Sequence, residues 1–203
     1  MKKAIPIIST LLVVGALLYV GILMFSGYTN EKEIVNYLEQ NKLDIPEGKE
    51  VVEMRGLLPN DPTTKNISED TKIIVHGKVE KITDPYKGDH DAVYHDILIK
   101  PKEVFKNVAK VDENELLTAE IYGGEIDDVT YWSPGAASFK EGEEVILFLG
   151  KVDGFDKYYV SYGVYGKLTI ENGIVNGINK EDGLVDMSLE KYTEKLNRVL
   201  SSS

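Results

Sequence analysis

A long uncharged stretch near the N-terminus constrains the fold of this chain more than any other feature. Lys2 and Lys3 precede an apolar run, Ala4–Phe25, that contains no charged residue. At about 1.5 Å rise per residue, a helix over this run would be about 33 Å long, enough to cross a hydrocarbon core of about 30 Å. A helix also satisfies its own backbone polar groups inside lipid. The run therefore predicts a transmembrane helix, with residues 1–27 forming a cytoplasmic tip and an anchor.

The flanks of this run predict how it is used. It is longer than the apolar core of a secretory signal, and cleavage after Ser26 or Gly27 would place the large side chains of Met24 or Phe25 in the cleavage pocket. An uncleaved signal-anchor is therefore favoured. Because the basic flank stays in the cytoplasm, we predict a single-pass protein of the cell membrane whose C-terminal domain lies outside.

The charge of the chain excludes one class of partner. There are 34 acidic and 23 basic side chains, for a net charge of −11, and the excess is larger once the two N-terminal lysines are set aside. Such a surface repels nucleic acid, so we predict none as a partner and expect a surface protein or other ligand instead. Since there is no cysteine, the outer domain must be held by its core alone.

Residues 28–71 have the composition of a juxtamembrane helix followed by a linker. Asn30 can cap a short helix over 31–40, and the residues after it are rich in proline and glycine. Asn66 begins an Asn-Ile-Ser sequon, and its predicted location outside the cell makes glycosylation a possible use of that site.

From Lys72 onward, short apolar runs and period-two alternation predict strands. The predicted strands are Ile73–Ile82, Val93–Phe105, Leu116–Tyr122, Val129–Trp132, Glu144–Lys151, Lys157–Tyr162, Gly166–Glu171 and Ile174–Ile178. Ser188 then begins a helix with apolar residues at helical spacing. Residues 72–203 are therefore predicted to be mainly β, a small antiparallel barrel or sandwich of OB-like type with a C-terminal amphipathic helix.

One polar cluster raises the possibility of a metal. His90 and Asp91 lie just before the second predicted strand and His95 and Asp96 lie near its start, and imidazoles and carboxylates bind divalent cations. The two histidines are five residues apart, however, so in an extended chain they point to opposite faces. A solvated loop is the alternative, and no cofactor is predicted beyond this possible divalent metal.

A second candidate site combines aromatic and acidic side chains. Tyr131 and Trp132 follow Asp127 and Asp128 inside a segment, 123–135, that is bounded by glycine and proline. Exposed aromatic rings can stack on sugars or anchor a protein partner. The alternative is that these rings belong to the core or to the rim of the barrel.

The sequence offers no catalytic residues. It contains neither a cysteine nor a G-x-S-x-G motif, and none of its Gly-Lys pairs completes a phosphate-binding loop. The leading hypothesis is a non-enzymatic outer domain that binds a ligand or protein. A metal-dependent hydrolase or cation sensor built on the His90 and His95 cluster is one alternative, and a structural accessory subunit of an envelope complex is another.

Residues 68–200 resemble a family of functionally uncharacterised exported bacterial and archaeal proteins with a small β-barrel domain. The similarity lies in the segments 72–79 (KIIVHGKV), 94–106 (YHDILIKPKEVFK), 123–126 (GGEI), 139–149 (FKEGEEVILFL) and 159–167 (YVSYGVYGK). The resemblance implies a barrel fold and an exported domain, and it carries no catalytic residues over to this chain. The chain departs from the family in its uncleaved N-terminal run and in an insertion, 132–135.

Overall fold

The computed structural model describes residues 50–53, 62–88, 91–152, 154–178 and 185–202. The predicted anchor, 1–27, and the predicted helix over 31–40 lie outside these residues. Among the residues described, no helix is both long enough and apolar enough to span a membrane.

The described chain is mainly β. Its elements are β1 (Glu50–Glu53), α1 (Thr64–Asp70), β2 (Ile73–Ile82), β3 (Tyr86–Lys87), β4 (Val93–Asn107), β5 (Leu117–Tyr122), β6 (Gly124–Ile126), β7 (Val129–Trp132), β8 (Glu144–Lys151), β9 (Tyr158–Val160), a 3-10 helix (Gly163–Gly166), β10 (Lys167–Glu171), β11 (Ile174–Asn176), β12 (Met187–Ser188) and α2 (Leu189–Ser201).

Five of these strands close into a barrel. Their order is β8–β2–β4–β5–β9, and β9 returns to pair with β8. If the barrel strands β2, β4, β5, β8 and β9 are numbered 1 to 5 in chain order, their order around the barrel is 1-2-3-5-4-1. The pairing of β5 with β9 is parallel, with Ala119 opposite Tyr158, and the other barrel pairings are antiparallel. The predicted mainly β barrel with a C-terminal helix is confirmed, whereas this parallel pair was not predicted.

Strand β8 is buried on both faces, as its near-continuous apolar sequence predicts. Leu147 and Leu149 point into the barrel, whereas Ile146 and Phe148 point outward into a second core, and all four are essentially inaccessible to solvent. One edge of β8 pairs with β2. The other edge pairs first with β10 and then with β9. The strand therefore joins the barrel to the outer sheet of β10, β11 and β12.

The C-terminal helix covers the second core. Ser188 caps α2 by accepting a hydrogen bond from the backbone N–H of Lys191 at 3.5 Å. Tyr192 and Leu196, one turn apart, are fully buried against the outward face of β8. Ile67 of α1 joins the same core, although the linker-like composition of residues 28–71 did not predict a helix there.

Most of the segment over residues 123–135 is a hairpin, and the strand predicted over Val129–Trp132 is one of its two strands. β6 and β7 pair through a two-residue turn at Asp127 and Asp128, whose φ angles are 52° and 63°. Positive φ at both central positions defines a type I′ turn, which matches the twist of the flanking strands. β1 adds to β7 in parallel and is exposed along its whole length.

Candidate functional site

An open cleft lies on the outer face of β4, beside the connections from β2 to β4 and from β8 to β9. Its volume is about 440 Å³, within the range of about 300–1,000 Å³ that ligand sites occupy. The residues that line it are Lys81, Ile82, Thr83, Asp84, Tyr86, Asp96 and Lys157.

Strand alternation and register place two carboxylates side by side, and one of them, Asp96, lines this cleft. On β4, Ile97 points into the barrel and is fully buried, so Asp96 points outward. Asp96 is directly opposite Glu120 of β5 in the antiparallel register. Side chains directly opposite on one face lie within contact distance, and two like charges there need a partner.

Lys157, on the connection from β8 to β9, supplies the positive charge, and Tyr86, on the connection from β2 to β4, supplies a hydroxyl donor. The Lys157 Nζ lies 2.8 Å from Asp96 Oδ2 and 3.7 Å from Glu120 Oε2. The same ammonium donates to the Tyr86 hydroxyl at 2.8 Å and sits 4.4 Å from the centre of the Tyr86 ring. One cation therefore contacts two carboxylates, a hydroxyl and an aromatic face.

The Tyr86 hydroxyl bridges the two carboxylates. It lies 2.8 Å from Asp96 Oδ1 and also makes a short hydrogen bond to Glu120 Oε2. Burial, followed by the hydrogen bonds to Glu120 and Asp96, raises the pKa of Tyr86 far above its ordinary value. The phenol consequently stays protonated, so it acts as a donor to a carboxylate and cannot serve as a base at neutral pH.

The backbone at the edge of the cleft is held in place by further hydrogen bonds. The backbone N–H of Asp96 donates to Thr83 Oγ1 at 2.9 Å, and the backbone N–H of Thr83 donates to the Asp96 carbonyl at 2.9 Å. The backbone N–H of Ile82 donates to Glu141 Oε1, also at 2.9 Å. These bonds fix the backbone of Asp96, Thr83 and Ile82 before any ligand arrives, which lowers the ordering cost of binding.

Three tyrosine rings form a wall next to the cluster. The centroids of Tyr86 and Tyr94 are 6.3 Å apart, and those of Tyr94 and Tyr122 are 5.8 Å apart at an edge-to-face angle of 87°. Gly88 packs so closely on Tyr94 that an added Cβ would lie 2.8 Å from its Cε2. These rings mainly stabilise one another and the connection from β2 to β4.

The arrangement is suited to binding hydroxyl groups. Lysine ammonium groups donate, carboxylates accept, and hydroxyls do both, so a polar ligand can satisfy its donors and acceptors here. A glycosidase also uses two carboxyl groups, but it keeps the space between them for the scissile bond. In this cleft Tyr86 and Lys157 fill the space between Asp96 and Glu120.

The structure describes three of the four predicted metal ligands, and it does not bring these three together. His90 lies outside the described residues. His95 and Asp96 are consecutive on β4 and so point to opposite faces, and His95 Nδ1 lies 2.8 Å from the carbonyl of Gly123. Asp91 is exposed in a turn with φ of 59°. Across the part of the chain that the structure describes, no three histidine, aspartate or glutamate side chains are grouped to hold a metal ion.

The predicted aromatic and acidic site lies on the β6–β7 hairpin. Tyr131 and Trp132 are half-buried on β7, and Asp127 and Asp128 form the exposed turn, where Asp127 lies 4.0 Å from the ammonium of Lys87. None of the four lines the cleft.

Asn66 of the sequon is exposed within α1. Ser68, the third residue of that sequon, is buried and donates a hydrogen bond to the carbonyl of Thr64 at 2.5 Å.

Sequence reasoning singled out Asp96, although as a metal ligand, and missed the residues that surround it. Tyr86 and Lys157 are 71 residues apart, and nothing in their local sequence links them. The register of Asp96 with Glu120 could have been proposed from the alternation on the two strands, but no turn signal specifies it.

Comparison of the chain with known protein families and with curated proteins finds no match.

Proposed function

We propose that this domain binds a polar ligand without net charge in the cleft and does not transform it. The observation that carries the proposal is the convergence of Tyr86, Asp96 and Lys157 at one open cleft, with Glu120 in contact with Tyr86 and Lys157. Asp96 and Glu120 lie on two barrel strands, Tyr86 on the short strand β3 and Lys157 just before β9, and together they form a preorganised set of donors and acceptors.

The barrel connectivity supports this position for a ligand site. The order 1-2-3-5-4-1 is that of an OB fold, and OB folds bind ligands on the face of their second and third strands, between two particular connections. β4 and β5 are the second and third barrel strands here, and Tyr86 and Lys157 lie on the corresponding connections. Because a fold alone does not determine function, the side chains of the cleft must carry the proposal.

The charges of the cleft favour a ligand without net charge. Its lining contains two lysines, Lys81 and Lys157, and two aspartates, Asp84 and Asp96, and Glu120 beside it adds one further carboxylate, so the site has an excess of only one negative charge. The chain as a whole has a net charge of −11, which disfavours nucleic acids and other polyanions. A ligand rich in hydroxyl groups satisfies both kinds of side chain without a net charge of its own.

We further propose that the domain is presented outside the cell by a membrane anchor. This rests on the uncharged run of Ala4–Phe25 and on the two lysines before it. The resemblance to exported proteins with a small barrel points to the same location.

The proposal is tested by thermal melts of the full chain in a detergent without a sugar headgroup. The panel contains neutral mono- and disaccharides, zwitterionic amino acids, nucleotides, CaCl2 and ZnCl2. A ligand at about a hundredfold excess over its Kd stabilises the folded state by about 2.7 kcal/mol. We expect at least one uncharged or zwitterionic compound to raise the Tm.

Two variants and a control locate the binding. Glu120→Gln preserves the shape of the side chain, and Lys157→Met removes the ammonium; each should reduce the ligand-induced shift. Lys65→Met removes an exposed lysine of α1 that pairs with Glu69 at 3.9 Å, away from the cleft, and should leave the shift unchanged. The proposal is wrong if no compound shifts the wild-type chain, or if both cleft variants respond to a compound as the wild type does.

A further inference from the structure

We infer that the ligand is a small zwitterion with a primary ammonium and a carboxylate, such as an amino acid, and that Lys81 binds its carboxylate while Asp84 binds its ammonium. This inference rests on the proposed function of the cleft and adds to it a ligand class and two contact residues.

Two charged side chains of the cleft lining have no ion-pair partner in the part of the chain that the structure describes. The ammonium of Lys157 pairs with Asp96 at 2.8 Å and donates to the Tyr86 hydroxyl, so the charges of that cluster are largely satisfied within the protein. Lys81 and Asp84 line the same cleft, are exposed and pair with no described residue. The cleft therefore presents one free positive charge and one free negative charge.

A β-bulge turns Lys81 towards the cleft. Val79 is buried in the barrel core, and strict strand alternation would point Lys81, two residues later, into the barrel as well. The pairing of β2 with β4 shifts between Val79 and Lys81, and Ile82 packs against the barrel core instead. Lys81 consequently lies on the outer face, where Asp96 also points. Bulges re-aim side chains in this way next to functional sites.

The two residues after Ile82 complete the polar rim. Thr83 Oγ1 accepts a hydrogen bond from the backbone N–H of Asp96 at 2.9 Å, which leaves the Thr83 O–H to donate to a ligand carboxylate beside Lys81. Asp84 follows directly. Three residues of extended chain span at most about 11 Å, so the free charges of Lys81 and Asp84 lie within reach of one small molecule.

A zwitterion fits these charges better than other small ligands do. Hydrogen bonds between ionised groups are stronger than those to a neutral hydroxyl, so a zwitterion gains more from Lys81 and Asp84 than a polyol does. A simple cation would leave Lys81 unpaired, and an anion would leave Asp84 unpaired and meet an acidic chain. A quaternary ammonium has no N–H to donate to Asp84.

The test titrates the full chain with amino acids and their charge-blocked forms by calorimetry, in a non-ionic polyoxyethylene detergent and a buffer that is not zwitterionic. The probes are glycine, alanine and β-alanine, their amides, which lack the carboxylate, and their N-acetyl forms, which lack the ammonium. We expect at least one of the three amino acids to bind, about tenfold or more tightly than either of its blocked forms.

One variant of each contact residue assigns the two ends of the ligand. Lys81→Met should abolish the preference for the free amino acid over its amide, because no ammonium remains there to recognise a carboxylate. Asp84→Asn should abolish the preference for the free amino acid over its N-acetyl form, because the carboxylate that pairs with the ligand ammonium is gone.

Two controls remove the same charges outside the cleft lining. Lys78 lies on β2 and pairs with Glu80 at 3.9 Å, and Asp91 is exposed on the connection from β2 to β4. Neither residue lines the cleft. Lys78→Met and Asp91→Asn should therefore bind the amino acid as the wild type does, which separates direct contact from the general effect of a changed net charge.

The outcomes separate this inference from the function it rests on. If a neutral saccharide raises the Tm, less so in Lys157→Met, and no amino acid binds, the zwitterion inference is overturned while the cleft keeps its proposed function. If an amino acid binds no better than its amide or its N-acetyl form, or if Lys81→Met and Asp84→Asn bind it as the controls do, the assigned contacts are overturned. If no compound of any class binds, the proposed function fails and this inference fails with it.

Discussion

Lys157 and Tyr86 are 71 residues apart in sequence, and the Lys157 ammonium lies 2.8 Å from the Tyr86 hydroxyl and 4.4 Å from the centre of its ring. The lysine precedes the last barrel strand, and the tyrosine lies between the first two. Their contact ties two connections together across the outer face of β4, next to the neighbouring carboxylates of Asp96 and Glu120. The shape of the proposed ligand cleft therefore depends on this pair.

Lys157→Met should destabilise the domain, because it leaves Asp96 and Glu120 as neighbouring like charges without a cation. Lys157 is 39 % exposed, so solvent screens the effect, and we expect a loss of about 1 kcal/mol that shrinks in high salt. Urea unfolding at low and high salt measures it. The exposed pair of Lys65 and Glu69 provides the control, because Lys65→Met should change stability by less than about 0.5 kcal/mol. Equal effects of the two lysine variants would contradict this account.

Glu144 should make stability depend on pH. Hydrogen bonds from Lys102 and from His76 lower the pKa of Glu144 below its ordinary value. The stabilisation is therefore fully present above the unfolded-state pKa of about 4.3 and is lost as pH falls through the lower folded-state pKa. Glu144→Gln should reduce stability at pH 7, and its difference from wild type should disappear in acid.

Denaturant unfolding from pH 7 down to pH 3 checks the effect of Glu144. Glu80 is the matched control, since it pairs with Lys78 at the surface at 3.9 Å, and Glu80→Gln should change little at any pH. A Glu144→Gln difference that stayed constant with pH would show that the carboxylate charge is not involved.

Gly166→Ala should be among the most damaging single-methyl additions in the chain. An added Cβ would lie 1.9 Å from the carbonyl oxygen of Ser161, at the corner where the chain leaves β9 and turns to β10. Since a backbone atom cannot move aside cheaply, we expect a loss above about 4 kcal/mol or failure to fold.

Gly173→Ala separates this clash from ordinary glycine effects. Gly173 has φ of 77° and nothing within 4 Å of an added Cβ. The substitution should therefore lower the free energy of unfolding only by the strain of a left-handed backbone at alanine, about 1–2 kcal/mol. Thermal melts of both variants suffice. If Gly166→Ala and Gly173→Ala lose similar stability, the backbone at the Gly166 corner moves aside for the added Cβ and the predicted clash is wrong.

Much of the fold follows from local pattern. The near-continuous apolar run in β8 predicts a strand in the middle of the core, and the strand has Val145, Leu147 and Leu149 in one core and Ile146 and Phe148 in the other. The spacing of Tyr192 and Leu196 likewise predicts the buried face of α2. In both cases the residues that decide the outcome are neighbours in sequence.

The cleft could not be predicted in the same way. The sequence groups Asp96 with His95 in one polar cluster, whereas the strand alternation of β4 separates them and the register brings Glu120 to Asp96 instead. Lys157 reaches the site only because the barrel closes through the parallel pairing of β5 with β9. Such long-range pairings depend on the whole topology, which no local signal specifies.

The two faces of β8 should be equally intolerant of truncation. Leu147→Ala removes a barrel side chain and Phe148→Ala removes one under α2, and both residues are essentially inaccessible. We expect losses of about 2–5 kcal/mol for each. Val108→Ala, at a site that is 57 % exposed, should cost less than about 0.5 kcal/mol in the same urea titration. A mild effect of Phe148→Ala would mean that the helix-covered core contributes little.

The central claim is that the cleft beside Tyr86 is where this protein binds its ligand. Nuclear magnetic resonance of the full chain with 13C-labelled tyrosine tests it most directly, with titration of the neutral saccharides and amino acids of the panel. The account predicts that a binding compound shifts the Tyr86 resonance, identified by its loss in Tyr86→Phe, and leaves that of Tyr192, buried under α2, unchanged. A panel in which no compound moves the Tyr86 resonance, or in which a bound compound moves only other tyrosines, would contradict it.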